Sequence, residues 1–267
     1  MSRLSRTLSK LRSQRKKSLV TFLVAGDPNL LQSLDLMHVM AESGADVIEV
    51  GVPFFDPEAE GPVIQKAHER ALRKGISLNS CLDLVKLFRK TNSVTPIIIM
   101  GYLESLETFG FEDFSNNAAD AGVDGIILVN LRPEDSLSLR SYLDLHDIEL
   151  VFLITPTTTE VRSKFICEAS RGFVYCVSME GTTGQKGVDV GEVESRVELL
   201  RPITPLPVLV GFGINSSEVA QSIGSVADGV IIGSAVVDLI DKNTQAPAMM
   251  LEEIKRFISG VKVALGG

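Results

Sequence analysis

Glu49 is the residue best placed by its surroundings to do chemistry. It lies within Val47-Ile48-Glu49-Val50-Gly51-Val52, where strand alternation sends Ile48, Val50 and Val52 to one face and Val47, Glu49 and Gly51 to the other. The all-apolar face suits packing against helices, so Glu49 points to the interior. A carboxyl group there is desolvated and its pKa rises toward neutrality, where it can act as general acid or base. The competing reading is a buried Glu paired with an internal Arg or Lys, since buried Glu is rare without a partner or a task. The following segment, from Pro53 to Gly61, holds Asp56, Glu58 and Glu60, with Pro53, Pro57 and Pro62 restricting its backbone. Acids ahead of a helix also simply favour its dipole. Beside Glu49 they suggest a site with two carboxylates.

Two glycine-bearing turns point to anion binding. Gly211-Phe212-Gly213-Ile214-Asn215-Ser216-Ser217 and Gly233-Ser234-Ala235 each lead from an apolar run into a helical pattern. Backbone N–H groups at such helix starts bind a dianion. A lone Gly-x-Gly also serves ordinary turns; two such turns on consecutive strands are more specific.

These groups need a scaffold. Eight short apolar runs, at 18–24, 47–52, 95–100, 125–129, 149–153, 173–178, 207–211 and 229–232, alternate with amphipathic stretches. Several runs are apolar throughout, as in a parallel sheet buried on both faces. Pro28 reads as the first turn of a helix over 29–43, Pro62 as the first turn of one over 63–73, and Ser77 as the cap of one over 78–90. Eight strand–helix units predict a single (β/α)8 TIM barrel, one domain over residues 1–267, with a doubly wound open sheet as runner-up. In a barrel the chemistry sits at the carboxyl ends of the strands, and phosphate is held after strands seven and eight. An extra N-terminal helix is predicted from Leu4, Leu8 and Leu11. The same segment, with seven Lys or Arg and no acid before Gly26, also has the composition of a transit peptide. The helix is favoured because a strand follows without a spacer, and a cytoplasmic location is expected.

Composition removes other classes. With 26 Lys plus Arg against 34 Asp plus Glu, the net charge is −8, which disfavours a nucleic-acid binder. No apolar run approaches the ~18 residues of a membrane span. Cys81, Cys167 and Cys176 form no Cys-x-x-Cys pair, and His38, His68 and His146 are scattered. Neither a metal centre nor a Ser-His-Asp triad is expected.

Along nearly its whole length the chain resembles the tryptophan synthase α subunit family. The most specific stretch is Glu49-Val50-Gly51-Val52-Pro53-Phe54-Phe55-Asp56-Pro57, continuing to Gly61-Pro62-Val63-Ile64-Gln65. Gly26-Asp27-Pro28, Gly181-Thr182-Thr183-Gly184, Gly211-Phe212-Gly213-Ile214 and Gly233-Ser234-Ala235 match in the same order. The resemblance implies a lyase that splits indole-3-glycerol phosphate into indole and glyceraldehyde 3-phosphate. It implies no cofactor in this subunit, and a PLP-dependent β subunit as partner in an α2β2 heterotetramer that consumes the indole. It further implies that Glu49 shuttles the proton and that Glu60 holds the indole N–H. Phe22, Tyr175, Thr183 and Phe212 would line the indole pocket and its lid, with Gly184, Gly213, Gly233 and Ser234 forming the phosphate cradle.

The sequence departs from the family pattern near that chemistry. Glu60 stands for Asp, Phe55 for a small polar residue and Glu58 for an apolar one. Met179-Glu180 replaces Arg-Ser, Asn130 replaces Asp, and Glu104 replaces a neutral residue. An extra methylene at position 60 displaces the carboxylate by about 1 Å, a misplacement that can cost on the order of 10²-fold in rate. Repulsion among Asp56, Glu58 and Glu60, and the bulk of Phe55, are expected to hold the loop away from the indole. Two functions therefore stand: a working lyase, and an impaired subunit that mainly activates its β partner.

Overall fold

The apolar runs close into a parallel barrel in the computed structural model, which describes residues 1–57, 60–178, 188–211 and 213–267. The strands are β1 (Ser18–Val24), β2 (Val47–Gly51), β3 (Ile97–Gly101), β4 (Gly125–Leu128), β5 (Glu149–Val151), β6 (Leu153–Ile154), β7 (Val174–Val177), β8 (Val208–Gly211) and β9 (Gly229–Ile232). Their order is β5-β4-β3-β2-β1-β9-β8-β7-β6. The fifth expected strand is thus two pieces interrupted at Phe152. β5 pairs with β4, β6 pairs with β7, and the Tyr175 N–H donates to the Phe152 carbonyl at 3.2 Å. Because β5 and β6 are consecutive in the chain, the order returns to its start. That closure makes the fold a (β/α)8 barrel and excludes the doubly wound alternative. Every residue of β1 to β4 is buried, which accounts for their continuous apolarity.

Local sequence sets the helix ends. In α1 (Arg3–Ser13) the Ser2 hydroxyl accepts from the Ser5 N–H. In α2 (Leu30–Glu42) the Asn29 side chain accepts from the Gln32 N–H. Pro28 is therefore not in the first turn as expected: Asn29 takes the cap, and Pro28 precedes it across a cis peptide from Asp27. α3 (Pro62–Leu72) does start on its proline, and in α4 (Leu78–Arg89) Ser77 and Ser80 form a reciprocal capping box.

The N-terminal helix closes the barrel floor. Leu4 and Leu8 are buried, and a Cβ on Gly125 or Gly172 would come within 3.3 or 3.0 Å of the tip of Leu4, so those two glycines ease the descent of the helix onto the strands. Polar ties fix its position: Arg3 to Asp124, and Ser2 and Ser5 to Glu149.

At the opposite end, Arg70 of α3 clamps the turn after β1. Its Nε and Nη2 donate to the two oxygens of buried Asp27 at 2.7 and 2.8 Å, and its Nη1 meets Asp241 at 2.6 Å. The pairing raises the Arg70 pKa, chiefly through the Asp27 hydrogen bonds. Arg70→Met keeps the apolar stem but leaves the Asp27 carboxylate buried without its partner. It should destabilise the fold by on the order of 3 kcal/mol in urea unfolding; a loss below about 0.5 kcal/mol would be that of an exposed pair and would contradict this clamp.

Candidate active site

The carboxyl ends of the strands converge on one pocket of about 460 Å³, its solvent-open part included. β1 contributes Phe22, β2 Glu49, β3 Met100, β7 Tyr175 and β9 Ile231. Loops add Glu60, Gly213, Ile214 and Gly233, the helix start after β9 adds Ser234, and α3 adds Ile64. Strand register brings the aromatic walls in. Phe22 pairs with Glu49, and Gly51 lies two residues further along β2. A Cβ on Gly51 would come within 2.6 Å of the Phe22 ring. The same arrangement recurs across the barrel: Tyr175 pairs with Leu209, and a Cβ on Gly211, two residues on, would meet the Tyr175 phenol. Each glycine leaves room for an aromatic ring at the mouth.

Glu49 is 1% exposed, and its Oε1 has no hydrogen-bond partner among the described residues. No described Arg or Lys compensates it; burial alone raises its pKa from 4.5 to about 8. The competing reading of a structural ion pair is thereby removed. The Tyr175 phenol is pushed well above its usual pKa, first by burial and then by the charges of Glu49 and Glu60, so it remains protonated at any working pH.

Glu60 is also buried. His68 Nε2 lies 2.6 Å from its Oε2, and His68 Nδ1 accepts the Phe54 N–H at 3.0 Å. A ring nitrogen that accepts cannot carry a proton, so the imidazole is neutral with its hydrogen on Nε2, donated to Glu60. The Glu60 N–H donates to the Pro57 carbonyl at 2.9 Å, and the Glu60 carbonyl accepts from Gln65 Nε2 at 2.8 Å. This corrects two expectations. Glu60 does not face Asp56, since Asp56 is turned to solvent while Glu60 turns inward to a donor; Glu58, the third acid of that expectation, lies outside the described residues. Phe55 does not wedge the loop from the pocket: it is 88% exposed, and Phe54 is the ring that turns in, stacking on Tyr102 at 4.4 Å.

Sequence reasoning gave His68 no part in the site. The available signal was its spacing: it follows Ile64 by four residues, so it shares the α3 face that meets the pocket. Met100, Ile214 and Ile231 were missed because apolar walls look like core. Asn130 and Glu104, two of the departures, hold each other: Asn130 Nδ2 donates to both Glu104 oxygens at 3.0 and 2.9 Å, and Asn130 Oδ1 accepts the Leu103 N–H at 2.8 Å. Thr183, Gly184 and Phe212, with Glu58, Met179, Glu180 and the rest of 179–187, lie outside the described residues.

The glycine turns sit as expected. Gly213 has φ +74°, and Ser216 caps the following helix, Ser217–Val226. Gly233 leads directly into Ser234–Lys242 with no side-chain cap. The first N–H to bond back to it is that of Val237, so the N–H groups of Ser234, Ala235 and Val236 precede the helical ladder, at the helix end where Gly233 and Ser234 line the pocket. Among the described residues no group of three or more His, Cys, Asp and Glu could hold a metal ion, and no helix is long and apolar enough to cross a membrane.

A closed parallel barrel whose mouth holds one dry carboxyl group, a second hydrogen-bonded carboxylate and an uncapped helix start defines an acid–base enzyme of the barrel class. Residues 8–265 match the family described as tryptophan synthase alpha chain. The tryptophan synthase alpha chain of Marinobacter nauticus is 44% identical, covering 99% of this chain and 98% of its own, and that of Burkholderia thailandensis is 42% identical, covering 100% and 98%. The crystal structure of tryptophan synthase subunit alpha from Legionella pneumophila superimposes with a TM-score of 0.93 at 38% identity, covering 100% of this chain and 99% of that one. A structure of Mycobacterium tuberculosis tryptophan synthase gives 0.90 at 31% identity, covering 99% and 98%. The chain belongs to the tryptophan synthase alpha chain family and is a carbon–carbon lyase of tryptophan biosynthesis, the family's reaction being cleavage of indole-3-glycerol phosphate.

The state of Glu49 has a thermodynamic consequence. A carboxyl group whose folded pKa is raised binds its proton more tightly folded than unfolded. Its burial therefore costs nothing below 4.5 and progressively more as pH rises to about 8. Near neutral pH the cost is on the order of 3 kcal/mol. Glu49→Gln, which cannot ionise, should raise the melting temperature, and the gain over the parent should widen from pH ~5 to pH ~8. A pH-independent difference would contradict a desolvated acid.

Proposed function

We propose that Glu49 and Glu60 carry out the cleavage of indole-3-glycerol phosphate in this chain. The observation that supports this most is the Glu49 carboxyl group: un-ionised near neutral pH, without a described partner at Oε1, and open to the same pocket as Glu60 and the helix start at Ser234. Glu49 in its acid form delivers a proton to indole C3. Glu60 accepts the indole N–H and offsets the positive charge that develops on the protonated ring. The Glu49 carboxylate then takes the proton of the glycerol hydroxyl next to the ring. The electrons of that O–H bond form the aldehyde, and those of the C–C bond return to the ring, releasing indole and glyceraldehyde 3-phosphate with Glu49 protonated again. Phe22 and Tyr175 form the walls for the indole, and Gly213, Gly233 and Ser234 hold the phosphate. The resemblance adds Thr183, Phe212 and Gly184 to these sets.

By the same family relation, the chain works as one barrel domain without a cofactor of its own, in an α2β2 heterotetramer whose β subunit carries PLP. Its three cysteines are free and buried, which suits a reducing compartment, and we place it in the cytoplasm.

Indole release from indole-3-glycerol phosphate, with and without β subunit, tests the reading. Glu49→Gln should lower turnover by at least about 10²-fold, and kcat/KM of the parent should fall as pH rises through about 8, because the acid form starts the reaction. Indole formation that survives Glu49→Gln would overturn the assignment. For the cradle, Gly213→Val places a β-branched residue at φ +74°, a region such residues avoid, and should abolish binding of a glycerol phosphate in calorimetry. Unchanged affinity would place the anion elsewhere.

A further inference from the structure

We infer that His68 is a positioning residue for Glu60, and that its presence makes glutamate, rather than the shorter aspartate, the fitting acid at that position. The inference rests on the lyase reading for its kinetic consequences and on geometry alone for the contact itself.

His68 lies in the seventh position of α3 and is buried. Its two nitrogens grip the two ends of the loop between β2 and α3. Nδ1 accepts the Phe54 N–H at 3.0 Å, and Nε2 donates to Glu60 Oε2 at 2.6 Å. The ring has no third arrangement that keeps both bonds: protonating Nδ1 breaks the first, and moving the hydrogen from Nε2 breaks the second. It therefore acts as a neutral strut that converts the fixed position of a helix into a fixed position for a loop carboxylate. The flexible glutamate side chain is held by one short hydrogen bond to a group with no freedom of its own. Its backbone is anchored separately, where Gln65 Nε2 donates to the Glu60 carbonyl at 2.8 Å.

An aspartate on the same backbone would stop about 1 Å or more short, a displacement of the size that costs heavily in catalysis. It would also strand the buried Nε2–H, and an unsatisfied buried donor is costly. The extra methylene of Glu60, which from sequence alone looks like a misplacement, spans the distance to His68. Restoring the family's aspartate without changing His68 should therefore lower turnover.

Two measurements test this. The chain has three histidines, His38, His68 and His146, so nitrogen spectra of the isotope-labelled residue are simple to assign. His68 should show an unprotonated Nδ1 and a protonated Nε2, with the Nε2 signal moving in Glu60→Gln. A protonated Nδ1, or an Nε2 signal indifferent to Glu60→Gln, overturns the inference. This arm needs no activity.

The second arm is steady-state indole release. His68→Gln places an amide N–H near the Nε2 position and should keep kcat within about threefold of the parent. His68→Asn reaches Phe54 but not Glu60, and should lose about tenfold or more. Glu60→Asp should lose about tenfold in the parent and nothing further in His68→Asn. Equal turnover in all variants, or losses that simply add, assigns His68 to packing and overturns the inference. Should His68→Asn fail to fold, the spectra of the parent and of Glu60→Gln still decide the contact. Absence of any Glu49-dependent indole signal in the parent would instead fail the lyase reading, and the His68 spectra would stand or fall separately.

Discussion

Glu49 has to be kept dry, and it has to be kept without a cationic partner; an ion pair would hold it ionised and unable to give up a proton near neutrality. Much of the surrounding structure meets those two demands. Strand register sets Phe22 on one side of it and Ile98 on the other, and the strands around it are buried on both faces. Water is kept from below by the N-terminal helix, whose Leu4 and Leu8 fill the floor. Above, Gly51 and Gly211 admit two aromatic rings where any side chain would collide with them. The group escapes the large cost of a buried charge by retaining its proton, and that same proton is the reagent of the proposed reaction.

The departures from the family pattern are easier to understand in pairs than one at a time. Asn130 donates to both oxygens of Glu104 while its own oxygen holds the Leu103 N–H; an aspartate there would face the Glu104 carboxylate with no proton to offer. Glu60 meets His68 in the same manner. In each case an acid that looks misplaced in isolation has a donor within reach. Nothing in the structure accounts for Phe55, whose ring lies in solvent.

Legibility followed the range of the interactions involved. Strands such as Ile97–Gly101 were evident because a parallel sheet buried on both faces demands unbroken apolarity, and Glu49 stood out because it violates that demand. Gly213 was evident because few residues other than glycine suit its positive φ. The interruption at Phe152 was not, since it depends on how β5 and β6 divide their pairing between β4 and β7. Pro28 was misplaced by one residue because the neighbouring Asn29 competes for the cap and wins through its side chain. His68 was hidden because its two partners, Phe54 and Glu60, are brought to it by the path of a loop, and scattered histidines carry no pattern of their own.

The floor helix also fixes an order of events during synthesis. Its residues are made before the parts they rest on: Leu4 packs over Gly125 and Gly172, Arg12 donates to the Pro205 carbonyl, and Lys17, just beyond the helix, donates to that of Ala227. At ordinary elongation speeds that is a wait on the order of ten seconds. Throughout it the leucine stripe and its cations are an unfinished, basic, amphipathic surface. A basic, amphipathic segment is thus what this closing piece looks like before the vessel it closes has been made.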